Sequence, residues 1–302
     1  MTTQTAETTV IAETTQATET PQAARTAETA QPTQAAAAAL RTATRATLTI
    51  DGRALSYLDF GGTGRPLVAL HGHLSEGASF AALAAALGPD WRVIAPDQRG
   101  HGDSDRAPEY TRAGYLADLE ALLAHLGIDR AVLLGHSLGA INASHLAARR
   151  PELVEALIDV DTAADLPEGG PSPLSFVLGF PYTAPTREQL DAVCGPLAAA
   201  VGPVTPRPLA DGSGWRLPFH PQDTVDSETL VHGDHWQQWL ATDCPALLIH
   251  GLRSQALPAA QAQQMVTRRP RTTYVPVDTD HFVQHAAPEA FEAAVRTFLA
   301  TL

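Results

Sequence analysis

The stretch AVLLGHSLGAINASHLAA, residues 131–148, decides the fold. Its first four residues form a short apolar run typical of a buried strand, and its alanine-rich second half is typical of a helix. Between them lies a Gly-x-Ser-x-Gly pattern, from Gly135 to Gly139, in the strand–turn–helix context that gives the pattern a catalytic meaning. Glycine suits such a sharp turn because it has no Cβ to collide with the strand or the helix. We therefore interpret Ser137 as a nucleophile.

Composition and charge exclude several classes of function. The formal net charge is −13, which argues against a nucleic-acid partner because phosphate binding needs clustered cations. All 20 basic residues are arginines, which excludes Schiff-base chemistry and a phosphate-loop lysine. Cys194 and Cys244 are too few for a disulfide framework, and no apolar run approaches the roughly 20 residues of a membrane span. We expect a cytoplasmic protein that needs neither a cofactor nor a metal and binds no membrane.

The order of apolar and polar segments predicts the domain organisation. Residues 1–45 are mostly Thr, Ala, Gln and Glu, a composition that predicts a disordered low-complexity tail. From residue 46 apolar runs alternate with helical patterns, which predicts an α/β fold with a mainly parallel sheet of about eight strands flanked by helices. Residues 163–243 break this rhythm. We predict that residues 46–162 and 244–302 form the core, and that residues 163–243 form an inserted helical cap.

A serine nucleophile needs a base, and position must select it from twelve histidines. His281 follows an apolar run over residues 273–277 that predicts the last strand. A loop after that strand lies at the same edge of the sheet as the serine turn. We interpret His281 as general base and acid, with His285 as the weaker alternative.

The oxyanion formed by acyl attack must meet aligned hydrogen-bond donors. One expected donor is the backbone N–H of Leu138, the residue after the serine, at the start of the predicted helix. The second is expected from the loop His71-Gly72-His73, through the backbone N–H of His73. A metal pair at His71 and His73 is disfavoured because the further ligands of a known metal motif are missing.

From about residue 46 to its end, the chain resembles the α/β-hydrolase fold superfamily in its capped serine-hydrolase form. Four motifs in order carry the resemblance: His71 to His73, Asp97 to Ser104 (DQRGHGDS), Gly135 to Gly139, and His281-Phe282. The resemblance implies a catalytic triad of serine, histidine and an acid. It also implies a structural role for the second motif, in which Asp97 and Arg99 hydrogen-bond to the backbone.

The acid departs from the usual pattern of this family. The resemblance places it after the strand predicted over residues 246–249, but Ser254 stands there. Some members of the fold carry the acid one strand earlier, where this chain has Asp161 at a strand end. We predict that Asp161 is the acid, since a carboxylate holds the histidine tautomer and stabilises its cation. Asp159, Asp278, Asp280 and a dyad without an acid are the alternatives.

The predicted cap holds two helices, over Thr186–Val201 and Ser227–Leu240, and several aromatic residues. Trp236 and Trp239, three residues apart, share a helix face. Two interpretations remain for them and for Trp215: they dock the cap on the core, or they form an aromatic wall around the substrate. His232 and His235 have a spacing that could bind metal, but we interpret them as solvated or hydrogen-bonded side chains.

These features predict a cofactor-independent serine hydrolase that cleaves an ester or thioester through an acyl-enzyme. The expected substrate is a small acyl compound, free or bound to a carrier. One alternative is an acyltransferase with the same triad, which passes the acyl group to an alcohol or amine. A second is a cofactor-independent oxygenase on the same fold, and a third is a ligand-binding protein without catalysis.

Overall fold

A computed structural model describes residues 33–302 of the chain. The strands of its main sheet are β1 Thr44–Ile50, β2 Arg53–Asp59, β3 Arg65–Leu70, β4 Trp91–Pro96, β5 Ala131–His136, β6 Val154–Val160, β7 Ala246–Gly251 and β8 Thr272–Val277. The helices are α1 Gln34–Thr42, α2 Ala81–Leu87, α3 Arg112–His125, α4 Leu138–Arg149, α5 Arg187–Val201, α6 Pro221–Thr229, α7 Trp236–Leu240, α8 Ala259–Arg268, α9 Val283–Ala286 and α10 Pro288–Leu299.

The sheet has eight strands in the order β1-β2-β4-β3-β5-β6-β7-β8. Strand β1 pairs with β2 around the Asp51-Gly52 turn, and β2 runs antiparallel to β4. All other neighbours in the sheet are parallel. The predicted fold class, a mainly parallel eight-stranded sheet flanked by helices, is confirmed. The carboxyl ends of β3 to β8 therefore meet at one edge.

Apolar side chains cover both faces of this sheet. One cluster joins the sheet to α3, α4, α7 and α8, and the other joins it to α2 and α10. All six residues of β5 are buried. A parallel strand between two helical layers reads as a continuous apolar run, which is why the sequence before Ser137 is so apolar. Burial on both faces holds the serine turn at the end of a rigid strand.

The composition predicts a disordered tail up to residue 45, but Gln34–Thr42 form helix α1. The hydroxyl of Thr33 caps the helix by accepting from Ala36 N at 3.2 Å. Ala36 is buried, and α1 packs against α2. Tertiary packing thus orders an alanine-rich segment that is too short to form a stable helix alone. Residues 1–32 of the predicted tail lie outside the described residues.

The segment between β6 and β7 carries short elements instead of a sheet rhythm. Thr183–Ala184, Trp215–Arg216 and Arg207–Pro208 pair as a small sheet beside α5. The predicted helix over Thr186–Val201 agrees with α5. The prediction of one helix over Ser227–Leu240 is wrong, because Gly233 has a φ of 124° and pairs with Leu166 between α6 and α7.

No helix within residues 33–302 is long and apolar enough to cross a bilayer. Cys194 and Cys244 are both free thiols.

Candidate active site

The turn between β5 and α4 holds Ser137 in a strained conformation. Its φ is 52°, in the left-handed region that costs energy for a residue with a side chain. A Cβ on Gly135 would lie 2.3 Å from Ala140 N, and one on Gly139 would lie 2.1 Å from the Leu70 carbonyl oxygen. Both glycines are therefore needed for the close approach of helix to sheet. The turn presents Ser137 in the wall of a cavity at the carboxyl edge.

Asp161 and His281 meet beside this serine turn. Asp161 follows β6, is fully buried and has a φ of 60°. Its Oδ2 lies 2.8 Å from His281 Nδ1, and its Oδ1 accepts from Gly251 N at 2.8 Å. The backbone N–H of Gly251 thereby fixes the rotation of the carboxylate. The His281 N–H at Nδ1 donates to the other oxygen, which leaves Nε2 as the proton acceptor of the ring.

Ser254 and Asp159 have other partners. Ser254 Oγ accepts from Ala256 N at 3.1 Å, so its hydroxyl supports the turn after β7. Asp159 Oδ1 accepts from Thr162 N at 3.0 Å. Burial raises the pKa of Asp159 well above its usual value. A carboxyl group whose protonated form is favoured is a poorer partner for an imidazolium than a carboxylate.

The remaining alternatives also point elsewhere. Asp278, on an exposed turn, pairs with Arg253. Asp280 Oδ1 accepts from Phe282 N at 3.1 Å and so shapes the histidine loop. His285 lines a different cavity, which lies under α1. Asp161 is thus the candidate acid whose carboxylate hydrogen-bonds to His281.

The loop after β3 passes close to the serine. A Cβ on Gly72 would lie 3.0 Å from Ser137 Cβ. Two hydrogen bonds connect this loop to Gln98. The backbone N of Gln98 donates to His71 Nε2 at 2.9 Å, and the side-chain Nε2 of Gln98 donates to His71 O at 2.5 Å. Burial lowers the pKa of His71 to about 3, so the ring is neutral and its Nδ1 donates to the Gly72 carbonyl. Both nitrogens of His71 are therefore occupied by the protein.

The two predicted oxyanion donors each follow a residue of the close contact between Gly72 and Ser137. Leu138 is the first residue of α4, where backbone N–H groups have no partner within the helix. His73 follows Gly72 and is buried, with its Nε2 2.9 Å from Ser227 Oγ. Ser227 Oγ in turn lies 2.8 Å from the Tyr115 hydroxyl.

Within residues 33–302, no group of three His, Cys, Asp or Glu side chains is arranged to hold a metal ion.

His136 is a site residue that the sequence argument does not single out. It is fully buried at the end of β5, and its ring centroid lies 4.6 Å from that of His281. Its Nε2 lies 3.0 Å from the His281 carbonyl oxygen, so it supports the loop that carries the base. Burial lowers the pKa of His136 well below its usual value, and the neutral ring adds no competing charge. Its position inside the Gly-x-Ser-x-Gly pattern, directly before Ser137, is the sequence feature that could have identified it.

The motif from Asp97 to Ser104 has the structural role that the resemblance implies. Asp97 Oδ1 accepts from Gly77 N at 2.8 Å, and its Oδ2 accepts from Asp103 N at 3.0 Å. Arg99 NH1 donates to the Glu109 carbonyl at 3.0 Å, and its Nε pairs with Asp118 at 2.8 Å. These contacts fix the loops beneath the site.

The cavity that holds Ser137 has a volume of about 430 Å³. Its lining includes the apolar residues Leu74, Leu166, Pro167, Pro173, Leu174, Val231, Ala256 and Phe282. The interpretation of the tryptophans as an aromatic wall is wrong. Trp239 is instead buried in the core, where its Nε1 donates to Met265 O at 3.1 Å, and Trp236 packs against the same core. Trp236 and Trp239 therefore dock the segment between β6 and β7 on the sheet.

Comparison with known proteins agrees with this architecture. A family model described as the alpha/beta hydrolase fold matches residues 65–288. The chain belongs to the α/β hydrolase fold family.

Several of its relatives and structural neighbours carry hydrolase names. The 3-hydroxybutyrate-oligomer hydrolase of Cupriavidus necator is 28% identical over 273 residues, 80% of this chain and 93% of that protein. The 2-(acetamidomethylene)succinate hydrolase of Mesorhizobium japonicum is 27% identical over 262 residues, 79% of this chain and 89% of that protein. The crystal structure of E-2-(acetamidomethylene)succinate hydrolase aligns with a TM-score of 0.71 at 24% identity, covering 85% of this chain and 99% of that one. The two sequence relatives support an enzyme of the α/β-hydrolase type, and the solved structure supports the fold.

Proposed function

We propose that this protein is a serine hydrolase that cleaves a small carboxylic ester or thioester through an acyl-enzyme. The observation that carries the proposal is the 2.8 Å bond between Asp161 Oδ2 and His281 Nδ1 in the wall of the cavity that also holds Ser137. Serine, histidine and a buried carboxylate in one site are the components of a catalytic triad.

The proposed steps give each group of the site a role. His281 Nε2 takes the proton of Ser137 as Oγ attacks the acyl carbon, and Asp161 stabilises the resulting imidazolium. The backbone N–H groups of Leu138 and His73 stabilise the oxyanion. His281 then protonates the leaving alcohol or thiol. A water molecule, activated by the same ring nitrogen, attacks the acyl-enzyme and releases a carboxylic acid with free Ser137.

The cavity supports an acyl group of modest size. Aliphatic and proline side chains form much of its lining, which favours burial of a hydrocarbon chain. The name of the Cupriavidus necator relative describes an enzyme that acts on 3-hydroxybutyrate oligomers, and this supports ester chemistry for this chain.

A fluorophosphonate probe tests the nucleophile and the base together. We expect intact-mass analysis and peptide mapping to find one adduct on Ser137, and Ser137→Ala to abolish it. His281→Gln should slow labelling by orders of magnitude, whereas the matched variant His285→Gln should label like the wild type. Absence of a Ser137 adduct in folded wild-type protein would reject acyl-enzyme chemistry and favour the oxygenase or binding alternative.

Product analysis then separates hydrolysis from acyl transfer. We expect p-nitrophenyl butyrate and a butyryl thioester to yield free butyrate, with the rate independent of added alcohols and amines. Release of the acyl group only when an acceptor is present, with ester or amide as product, would replace the hydrolase by the acyltransferase.

A further inference from the structure

Glu228 and His232 contribute a polar patch to the otherwise mainly apolar cavity that holds Ser137. Glu228 lies near the end of α6, and His232 lies in the turn that follows it. Glu228 is only 8% exposed, which is unusual for a carboxylate. A buried charge in an acyl pocket is costly unless something binds it.

Only one oxygen of Glu228 has a partner in the described part of the chain. Its Oε1 lies 2.7 Å from His232 Nε2. Its Oε2 is buried and has no hydrogen-bond partner among residues 33–302. A buried acceptor left without a partner costs about 1–3 kcal/mol, and more when the group is charged. Glu228 lines the Ser137 cavity and also a second cavity of about 220 Å³, so this oxygen is a free acceptor position beside both.

His232 cannot fill this position or bind a ligand acceptor. Its Nδ1 contacts the Pro167 carbonyl, and its Nε2 contacts Glu228. Both partners are acceptors, so each ring nitrogen is placed to donate a hydrogen bond to the protein and neither is free for a ligand. Although burial lowers it, the hydrogen bonds to Glu228 and Pro167 raise the pKa of His232. The vacant hydrogen-bonding position at this wall is an acceptor, and it belongs to Glu228.

We propose that Glu228 is a specificity-determining residue that accepts a hydrogen bond from a hydroxyl group on the acyl chain of the substrate. The proposal rests on the proposed function, since it deepens the choice of acyl group at the same cavity. A site with a buried polar group rejects an analogue that lacks the matching donor, because that group is then left without a partner. The substrate class is thus a hydroxyacyl ester or thioester.

The test measures binding separately from turnover. Methyl esters of ω-hydroxy acids with four, six and eight carbons are compared with their ω-methoxy and unsubstituted counterparts by calorimetry on Ser137→Ala, which cannot turn them over. The methoxy group keeps the polarity but cannot donate. At the chain length that reaches Glu228, we expect the hydroxy ester to bind roughly tenfold to a hundredfold more tightly than the methoxy ester.

Variants on the Ser137→Ala background assign that preference. Glu228→Gln removes the charge and should reduce the preference severalfold, and Glu228→Met keeps the length and should abolish it. Asp226→Asn, an exposed carboxylate on the same helix, is the matched control and should keep the full preference. Thermal melting verifies the fold of each variant.

The two proposals fail separately. A hydroxy preference that survives Glu228→Met, or no preference at any chain length, overturns the role of Glu228 even if wild-type protein cleaves esters. Absence of ester cleavage and of a Ser137 adduct rejects the hydrolase, but the calorimetric preference still reports on Glu228.

Discussion

Replacing Asp161 by asparagine tests the displaced acid with almost no change in shape. The carboxylate accepts two hydrogen bonds, from Gly251 N and from His281 Nδ1, each at 2.8 Å. Asparagine has one acceptor and one donor group, so it cannot accept both. Gly251 N–H is fixed in the backbone and will take the amide oxygen. The amide NH₂ then faces His281 Nδ1 and forces the proton onto Nε2, the nitrogen that must receive the serine proton.

The size of the effect follows from this tautomer switch. The equivalent change in a Ser-His-Asp triad costs about 10⁴ in rate. At 1.36 kcal/mol for each factor of ten, this is about 5 kcal/mol of lost transition-state stabilisation. We therefore expect Asp161→Asn to slow single-turnover acylation of Ser137 about 10⁴-fold. Stopped-flow release of p-nitrophenol from p-nitrophenyl butyrate, with enzyme in excess, measures that step.

Two comparisons make the result decisive. Ser254→Ala alters the residue at the family's usual acid position, and we expect its acylation rate to equal that of the wild type. Melting curves should show that Asp161→Asn is folded, since the Gly251 bond is kept. If folded Asp161→Asn acylates within tenfold of the wild-type rate, Asp161 does not act as the acid and the argument from tautomers is refuted.

Two further predictions concern stability. Gly139→Ala places a Cβ 2.1 Å from the Leu70 carbonyl oxygen, so we expect a loss of about 1–3 kcal/mol in the free energy of unfolding by urea. Gly195→Ala, in α5 with nothing within 4 Å, should instead gain about 0.5–1 kcal/mol, and equal effects would contradict the packing argument. The raised pKa of Asp159 means that its protonated form favours the native state, so this stabilisation is full below about pH 4 and is lost as the pH rises through the native pKa. The melting temperature of Asp159→Asn should therefore exceed that of the wild type by a margin that grows as the pH rises above about 4. A difference in melting temperature that does not change with pH would rule this out.

Much of the fold could be predicted because it depends on local patterns. The apolar run before Gly135 is a strand buried on both faces, and the alanine-rich helix after Gly139 packs on one face of the same sheet. Such burial is visible in the composition of the sequence. The helix ends were less predictable. The break between α6 and α7 depends on Gly233 pairing with Leu166, a contact between segments far apart in sequence. Helix α1 likewise depends on packing against α2.

The sequence by itself determined the serine turn, the histidine after the last strand and the absence of an acid at Ser254, because each is a residue type at a fixed position on a strand end. Only the tertiary structure decided which aspartate meets His281. Asp159 and Asp161 are two residues apart, and a regular strand would place both on the same face, so strand periodicity alone does not separate them. The strained backbone of Asp161 and the N–H of Gly251, from the neighbouring strand, turn its carboxylate toward His281. The side chain of Asp159 instead accepts from Thr162 N. The pairing of Asp161 with His281 therefore depends on contacts between chain segments about 90 to 120 residues apart, which a local sequence pattern does not contain.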